Sequence, residues 1–358
     1  MEPDADAVVV GGGVVGLAVA AELAGRFGRI LLLERLPRLG EGASTRNSGV
    51  VHSGIYYPPG SLKARLCVEG SRLLHAFCAE RGVPLRRCGK LVVASEASEV
   101  PALERLKAQG MSNGVEGLEI LDRGGLKDIE PEAEGVAALR VPSASILDAG
   151  ELVRALAACA REKGVEILTG VEVSALEPDG KGILVRSSQG DLRVRQAFNC
   201  AGLFSDRFQR RRPVHPCRGE YAEVVPARAG LVRGLVYPAP HEGPGLGVHF
   251  TRTVAGGLLV GPNARYVSGK EDYESGRLPV EAFLEPARRL VPALQAGDLR
   301  PSYAGIRAKL APEGDAGFRD FVLEAQDEAR GLIHLSGIES PGLTACLALA
   351  REAVSRYL

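Results

Sequence analysis

The 358-residue sequence predicts an α/β protein of two domains, in which a sheet-rich second domain is inserted into a first domain with a parallel sheet. Two observations lead to this fold class. Residues 1–35 read as strand, glycine turn, helix and strand, and segments of the same character return in the middle and at the end of the chain. Between them, residues 219–311 contain short strands separated by Gly and Pro turns, which is typical of an antiparallel sheet.

The first element carries a nucleotide-binding fingerprint. Gly11, Gly13 and Gly16 follow a buried strand in the pattern G-x-G-x-x-G, and Glu34 ends the next strand. The first glycine allows a sharp turn, the second lets a pyrophosphate approach the backbone, and the third lets helix and strand pack closely. The helix N-terminus then offers N–H groups to phosphate, and the acid can accept hydrogen bonds from a ribose. This context predicts a Rossmann-like dinucleotide site, with NAD and FAD both open.

The other elements follow from hydrophobic periodicity and turn residues. Helices are predicted over 61–81, 100–109, 151–163 and 343–357, and strands over 90–95, 166–168, 183–187, 192–195 and 332–337, with a hairpin turn at 255–257. The resulting cofactor domain comprises residues 1–85, 148–215 and 330–358, and the substrate domain comprises 86–147 and 216–329.

Composition and charge exclude several classes of protein. Lys plus Arg and Asp plus Glu both number 44, so no net charge favours nucleic acid as a partner. The seven cysteines are scattered and form no C-x-x-C, which indicates reduced core residues rather than disulfides or a metal site. Neither a signal peptide nor a transmembrane segment is expected. We therefore predict a cytoplasmic protein, with a peripheral contact at the inner membrane face left open.

Beyond the fingerprint, blocks of sequence resemble a known family. They are STRNSGVVHSGIYYPPGSLKARLCVEG at 44–70, CGKL at 88–91, NCAGLFSDR at 199–207, RGEY at 218–221, LGVHFTR at 246–252, VGPNA at 260–264, GIRAKL at 305–310 and GIESPGLTACLA at 337–348. Together they resemble the L-2-hydroxyglutarate dehydrogenase/oxidase family of the FAD-dependent D-amino-acid-oxidase superfamily. Two features depart from the family: Ala308 replaces the usual proline of GIRPK, and the stretch after Arg207 is shortened and Arg-rich.

The resemblance implies a two-domain flavoprotein similar to glycine oxidase, with FAD as its cofactor. The residues that match the cofactor-binding motifs are Gly11, Gly13, Val14, Val15, Gly16, Glu34, Arg35, Ser44, Thr45, Arg46, Asn47, Ser48, Val50, Val173, Ala201, Gly202, Gly337, Glu339, Ser340, Pro341, Gly342 and Leu343. From the residues alone, the 44–48 loop could be an ordinary surface loop, Val173 plain strand core, and 337–343 a plain helix start.

Candidate catalytic residues follow from the chemistry of alcohol oxidation. A base must take the hydroxyl proton, and His52 is the first candidate because an imidazole titrates near neutrality. His249 is its rival, and each histidine could instead be structural. The resemblance implies that Arg307 binds a substrate carboxylate, for which a guanidinium is suited. Lys309 shares its strand face and would add a second cation for a diacid.

Arg252, Tyr56, Lys63 and Arg65 are weaker candidates for the second carboxylate, and Lys63 and Arg65 could equally be solvated helix charges. The resemblance implies oxidation of a 2-hydroxy acid, most closely L-2-hydroxyglutarate to 2-oxoglutarate, with hydride transfer to flavin N5 and reoxidation by a quinone, a carrier protein or oxygen. The alternatives are an amino-acid or glycerol-3-phosphate oxidase on the same fold, and a flavin-binding protein without turnover.

Overall fold

The chain divides into two compact units, each assembled from separated segments. The structure is a computed structural model and describes residues 3–209, 211–240, 245–326 and 329–358. The first unit comprises 1–46, 149–216 and 307–358, and the second comprises 47–148 and 217–306. This division differs from the predicted one at two long segments, 47–85 in the second unit and 307–329 in the first, and at the single boundary residues 148 and 216.

Helices are interspersed among the strands up to residue 162, and strands predominate in the described residues after it. The strands are β1 (Ala5–Val10), β2 (Ile30–Glu34), β3 (Val50–Val51), β4 (Leu85–Arg87), β5 (Lys90–Ala94), β6 (Glu119–Asp122), β7 (Ala137–Val141), β8 (Ser145–Leu147), β9 (Glu166–Thr169), β10 (Val173–Pro178), β11 (Ile183–Ser187), β12 (Leu192–Asn199), β13 (His215–Val224), β14 (Leu235–Pro238), β15 (Phe250–Arg252), β16 (Leu258–Val260), β17 (Arg265–Tyr266), β18 (Leu299–Lys309), β19 (Val322–Gln326) and β20 (Ala329–Ser336). The helices are α1 (Val14–Leu23), α2 (Leu62–Arg81), α3 (Val100–Ser112), α4 (Arg123–Ile129), α5 (Ala149–Glu162), α6 (Leu284–Arg288) and α7 (Gly342–Tyr357).

The first unit is built on an eight-stranded mixed sheet. Its main path runs β10-β11-β12-β1-β2-β9, and β20 joins β12 and β19. The pairs of β1 with β12 and β2, of β2 with β9 and of β12 with β20 are parallel. Helix α1 packs against both α5 and α7. Because most residues of α1 are buried and many are small, the helix can approach both neighbours closely.

The second unit contains a nine-stranded sheet and a small three-stranded one. The large sheet follows the order β17-β13-β16-β15-β14-β5-β7-β6, with β18 paired to β13, and the small sheet follows β3-β8-β4. Strand β5 is buried throughout, because Leu91 and Val93 face one apolar core while Val92 and Ala94 face another. A strand buried on both faces explains its nearly continuous apolar run.

Most predicted elements are confirmed. Helix α2 begins after Ser61, whose hydroxyl accepts a hydrogen bond from the Ala64 N–H at 3.1 Å, and it ends at Gly82 in the left-handed conformation. Residues 255–257 form the predicted turn between β15 and β16. No disulfide joins any of the seven cysteines, all of which lie in the described residues, and six of them are buried. Among the described residues, no helix is both long enough and apolar enough to cross a membrane.

Candidate functional site

The glycine turn after β1 has the geometry that a nucleotide-binding fingerprint requires. Gly11 has a φ of +110°, and a Cβ there would lie 2.5 Å from the Cys200 carbonyl oxygen at the end of β12. A Cβ on Gly16 would lie 1.9 Å from the Gly11 carbonyl oxygen. Both positions therefore exclude any side chain, because real Cβ atoms do not approach that closely. The turn lies where β1 separates its neighbours β2 and β12, which is the switch point at which such sheets bind ligands.

Helix α1 presents its N-terminus to the loop that begins at Ser44. Gly13 occupies the N-cap position and provides no side-chain cap. The Val14 N–H donates to Ser44 Oγ at 3.0 Å, and a Cβ on Gly13 would lie 2.8 Å from that oxygen. Since the first-turn N–H groups of a helix lack intrahelical acceptors, this end is suited to a pyrophosphate. The predicted loop residue Thr45 is held by a hydrogen bond from its Oγ1 to the Gly40 carbonyl, at 2.8 Å.

Glu34 is held rigidly at the carboxyl end of β2. Its Oε2 accepts a hydrogen bond from the Gly12 N–H at 2.6 Å, and its Oε1 accepts one from the Leu36 N–H at 2.9 Å. A carboxylate offers about four acceptor positions, so both oxygens retain capacity for ribose hydroxyls. The next residue, Arg35, lies with its guanidinium carbon 4.4 Å from the centroid of the Phe204 ring.

Two further groups of predicted cofactor residues come close to this turn within the first unit. Asn199 supports the Ala201–Gly202 turn, because its Oδ1 accepts from the Ala201 N–H at 3.3 Å. Its Nδ2 donates to the Ser205 carbonyl at 2.8 Å and contacts His334 Nδ1 at 3.0 Å. Val173 is buried in the core of this unit, two residues after Val171, whose N–H donates to the Glu34 carbonyl at 2.9 Å.

The 337–343 segment connects β20 to α7. Gly337 has a φ of +67°, and a Cβ there would lie 2.5 Å from the Leu310 side chain. Helix α7 begins at Gly342 with Pro341 at its N-cap position, one residue before the predicted start. The glycine cradle, the oriented carboxylate and this second helix N-terminus together fit an FAD.

The two predicted cations of the GIRAKL block lie on one face of β18. Ala304, Ile306 and Ala308 are buried on one face, while Arg307 and Lys309 lie half-buried on the other. Ala308, which replaces the family's proline, therefore belongs to the core face. Lys309 has a partner that the sequence did not reveal: its Nζ lies 3.4 Å from Oε2 of Glu339. This ion pair offsets the charge that we assigned to a substrate diacid, and it engages a predicted cofactor residue.

The Arg-rich stretch after Arg207 also has an acidic partner. Arg212 Nη2 lies 3.2 Å from Oε2 of Glu324. Arg207 itself pairs with Glu172, with 2.6 Å between Nη1 and Oε1. Arg210 lies outside the described residues. These partly exposed ion pairs indicate a surface role for the described arginines of this stretch.

In the second unit, two histidines, two tyrosines and a lysine form a cluster, which we call the Lys90 cluster: His52, Tyr56, Lys90, Tyr237 and His249. Lys90 is 2% exposed, and its Nζ lies 3.9 Å from the centroid of the Tyr237 ring and 5.1 Å from that of Tyr56. Tyr237 also stacks on His249, with ring centroids 3.7 Å apart. The ammonium thus lies among aromatic rings, where it is held by cation–π attraction.

Burial and mutual repulsion set the protonation of this cluster. Burial lowers the pKa of His52 well below its ordinary value near 6.5, and the nearby charges of Lys90 and His249 lower it further. Burial also lowers the pKa of Lys90 to about 7. His249 Nδ1 donates to the Gly247 carbonyl at 2.7 Å, because a carbonyl oxygen can only accept, so Nε2 is the ring nitrogen left for a proton from a substrate. His52 is therefore neutral at pH 7 and suited to accept a proton.

Arg252 lies apart from the Lys90 cluster. Along β15, alternate residues point to opposite faces, and Arg252 shares the face of Phe250 rather than that of His249. Its Nη1 donates a hydrogen bond to the Ala229 carbonyl, in the core that includes Phe250. The structure therefore brings Tyr56, but not Arg252, to Lys90, whose charge also acts on the candidate base His52.

Three predicted cofactor residues, Asn47, Ser48 and Val50, belong to the second unit. Two hydrogen bonds fix Asn47: its Oδ1 accepts from the Gly49 N–H at 2.8 Å, and its carbonyl oxygen accepts from Tyr303 Oη at 2.7 Å. Val50 is buried in β3.

The sequence analysis did not identify Lys90 and Tyr237 as candidate site residues. The available signal was a lysine at the head of the apolar strand KLVVA, within the block CGKL.

Comparisons with known proteins agree with the fingerprint. A family model described as FAD dependent oxidoreductase matches residues 6–356. L-2-hydroxyglutarate dehydrogenase from Indibacter alkaliphilus is 31% identical over 389 residues, covering 97% of this chain and 97% of the relative. The mitochondrial L-2-hydroxyglutarate dehydrogenase of Homo sapiens is 32% identical over 401 residues, covering 96% of this chain and 87% of the relative.

Solved structures share the fold. L-alpha-glycerophosphate oxidase from Mycoplasma pneumoniae, solved with FAD bound, has a TM-score of 0.89 at 29% identity and covers 100% of this chain and 95% of its own. Glycine oxidase from Geobacillus kaustophilus has a TM-score of 0.83 at 23% identity, covering 99% and 95%. The chain therefore belongs to the FAD-dependent oxidoreductase family, in the branch that includes the L-2-hydroxyglutarate dehydrogenases.

Proposed function

We propose that this FAD-dependent oxidoreductase oxidises L-2-hydroxyglutarate to 2-oxoglutarate. The observation that carries the substrate is the similarity to relatives named L-2-hydroxyglutarate dehydrogenase, which extends over nearly the whole chain. The residues agree with this chemistry. The Lys90 cluster contains a histidine that is neutral at pH 7, and the half-buried Arg307 suits a carboxylate.

The proposed reaction assigns one task to each residue. Arg307 binds the carboxylate next to the reacting carbon through two parallel hydrogen bonds. His52 accepts the hydroxyl proton as the hydrogen on C2 leaves with its electron pair, and a C=O bond forms. Bound FAD supplies the acceptor for that hydride. His249 is the alternative base, because its Nε2 is the acceptor nitrogen of the neutral ring.

The residues that would hold FAD are those of the fingerprint turn and the segments around it. The N–H groups of Val15 and Gly16 would face the pyrophosphate, next to the Val14 N–H that donates to Ser44 Oγ, and Glu34 would accept from the ribose. Residues 44–50, Val173, the Ala201–Gly202 turn and the 337–343 segment would contact the remainder, as the family resemblance implies. The helix N-terminus at Gly342 suits a site of negative charge.

The direct test is the absorption spectrum of the purified protein during anaerobic addition of L-2-hydroxyglutarate. We expect a yellow protein whose band near 450 nm is bleached by this substrate, with one 2-oxoglutarate formed per bleached flavin. Bleaching by L-α-glycerophosphate instead would favour the second candidate, which the fold of the glycerophosphate oxidase supports. Bleaching by an amino acid would favour an amino-acid oxidase, and a yellow protein that no substrate bleaches would contradict turnover.

Replacing Arg307 with alanine is expected to raise KM for L-2-hydroxyglutarate by at least about 30-fold, because a carboxylate loses its charged partner. Arg307→Lys should recover only part of the loss, since an ammonium cannot form the paired hydrogen bonds. Arg300→Ala, an exposed arginine of the same strand, is the matched control and should leave KM unchanged. Unchanged KM in Arg307→Ala would remove the carboxylate site from β18.

The electron acceptor and the cellular location complete the proposal. We propose reoxidation by a quinone, a carrier protein or oxygen. We place the enzyme in the cytoplasm, with a peripheral contact at the inner membrane face where the acceptor is a quinone. Reoxidation rates of the reduced enzyme with oxygen and with a soluble quinone would separate these acceptors.

A further inference from the structure

Lys90 is a buried cation that lacks a counter-ion in the described part of the chain. It is 2% exposed, and within residues 3–209, 211–240, 245–326 and 329–358 its Nζ has no hydrogen-bond acceptor and no ion pair. Its neighbours are aromatic rings and neutral groups. Burying an ammonium costs free energy unless its N–H donors have hydrogen-bond acceptors. The packing of the fold therefore does not explain why a lysine occupies this position.

A second buried donor lies beside it. The Tyr56 hydroxyl is also buried and has no hydrogen-bond partner in the same described ranges. An ammonium has only donors to offer, and a phenol hydroxyl can donate one hydrogen bond. Two unsatisfied donors of which one is positively charged call for a ligand that is anionic and accepts hydrogen bonds. A carboxylate meets both requirements.

The surroundings of Lys90 indicate that the ligand with this carboxylate is the substrate itself. The charge of Lys90 acts on His52, the proposed base, so both belong to one electrostatic cluster. His52 and Tyr56 keep partial exposure, which leaves this side of the cluster open to a ligand. Lys309, the second cation expected from the sequence, is already paired with Glu339. Lys90 has no such carboxylate partner in the described ranges, which makes it our candidate cation for a second carboxylate.

We propose that Lys90 and Tyr56 form the subsite for the distal carboxylate of a dicarboxylate substrate, and that they select diacids over monoacids. This proposal rests on the proposed function for the identity of the substrate. The reacting hydroxyl would face His52, which belongs to the same unit as Lys90 and Tyr56. Tyr237 would position the ammonium through its ring without contacting the substrate.

Binding of glutarate, an inert diacid, to the FAD-loaded enzyme tests the subsite without turnover. Calorimetric titration should show that wild type prefers glutarate to valerate, the monoacid with a methyl group in place of one carboxylate. In Lys90→Met, glutarate affinity should fall at least about 30-fold while valerate affinity stays the same. Tyr56→Phe keeps the ring and loses one donor, so a loss of roughly 10-fold is expected. Lys127→Met removes a partly exposed lysine paired with Glu134 and serves as the charge control.

The outcomes separate this proposal from the proposed function. If Lys90→Met and Tyr56→Phe bind glutarate as wild type does, the subsite is overturned even where L-2-hydroxyglutarate is oxidised. Equal losses for glutarate and valerate would also overturn it, because Lys90 would then hold the carboxylate that both share. The wild-type enzyme could also fail to oxidise L-2-hydroxyglutarate while Lys90→Met selectively loses affinity for glutarate. In that case the subsite is supported and the proposed function fails. Inorganic phosphate, added as a third ligand, should bind more weakly than glutarate; tighter binding would overturn the carboxylate assignment.

Thermal unfolding distinguishes a ligand-binding lysine from a structural one. A buried ammonium without a partner destabilises the fold, so Lys90→Met should raise the Tm of the ligand-free holoenzyme. The pKa of Lys90 is lowered from 10.5 to about 7 on folding, so the gain should be largest below pH 7 and shrink between pH 7 and 10. The titratable groups around it are His52, Tyr56, Cys67, Cys88, Tyr237 and His249. A lower Tm in Lys90→Met would indicate a structural lysine and contradict the proposal.

Discussion

Replacing His52 with alanine is expected to lower the rate constant of flavin bleaching at saturating L-2-hydroxyglutarate by about 10²- to 10⁴-fold, the usual contribution of a positioned base. The physical reason is the protonation state of the imidazole. Burial and the charges of Lys90 and His249 hold the pKa of His52 well below 6.5, so the ring is neutral at pH 7 and accepts the hydroxyl proton. Stopped-flow absorbance under anaerobic conditions measures this rate constant directly.

His249→Ala is the matched control for this experiment. His249 is buried against Tyr237, and its Nδ1 is held by the Gly247 carbonyl, so its loss should disturb packing more than proton transfer. We expect a decrease of less than about 10-fold in the same rate constant. If His249→Ala shows the large loss and His52→Ala does not, the base is His249.

The pH profile gives a second measurement of the base. A base acts only when it is deprotonated, so kcat/KM should fall as the pH drops through the pKa of His52, on a limb below pH 6.5. Lys90→Met removes a positive neighbour of His52, so the limb should move to higher pH. A limb that stays in place in Lys90→Met would separate the base from the Lys90 cluster.

The parts of the site that depend on local sterics could be predicted from the sequence. Gly11 and Gly16 follow a strand and face backbone oxygens, and the structure shows that a Cβ fits at neither position. The acid at Glu34 also follows from local order, because the chain reaches it directly after the first helix and the second strand. In both cases the residues that set the geometry lie within one crossover unit.

The parts that depend on distant partners could not be predicted. Lys309 pairs with Glu339, thirty positions later in the chain, and no local pattern in the sequence connects these two residues. Lys90 was missed because the apolar residues after it suggest a buried strand, and a lysine at a strand end suggests exposure. Its neighbours Tyr56, Tyr237 and His249 come from separate segments, so no local pattern connects them.

Replacing Gly16 with alanine is expected to abolish stable FAD binding. The new Cβ would lie 1.9 Å from the Gly11 carbonyl oxygen, so helix α1 must move away from the turn after β1. That movement withdraws the first-turn N–H groups from the pyrophosphate site, and it strains the packing of α1 against α5 and α7. The bound flavin per protein, read from the ratio of absorbance at 450 and 280 nm, should fall to about a tenth of the wild-type value or less, with a lower Tm. Gly25→Ala is the matched control, because it makes the same chemical change just after α1 where nothing lies within 4 Å of the new Cβ. We expect this variant to retain the wild-type flavin content and the wild-type Tm. A Gly16→Ala protein that retains its full flavin content would show that the fingerprint helix tolerates displacement, and the assignment of its N-terminus to the pyrophosphate would fail.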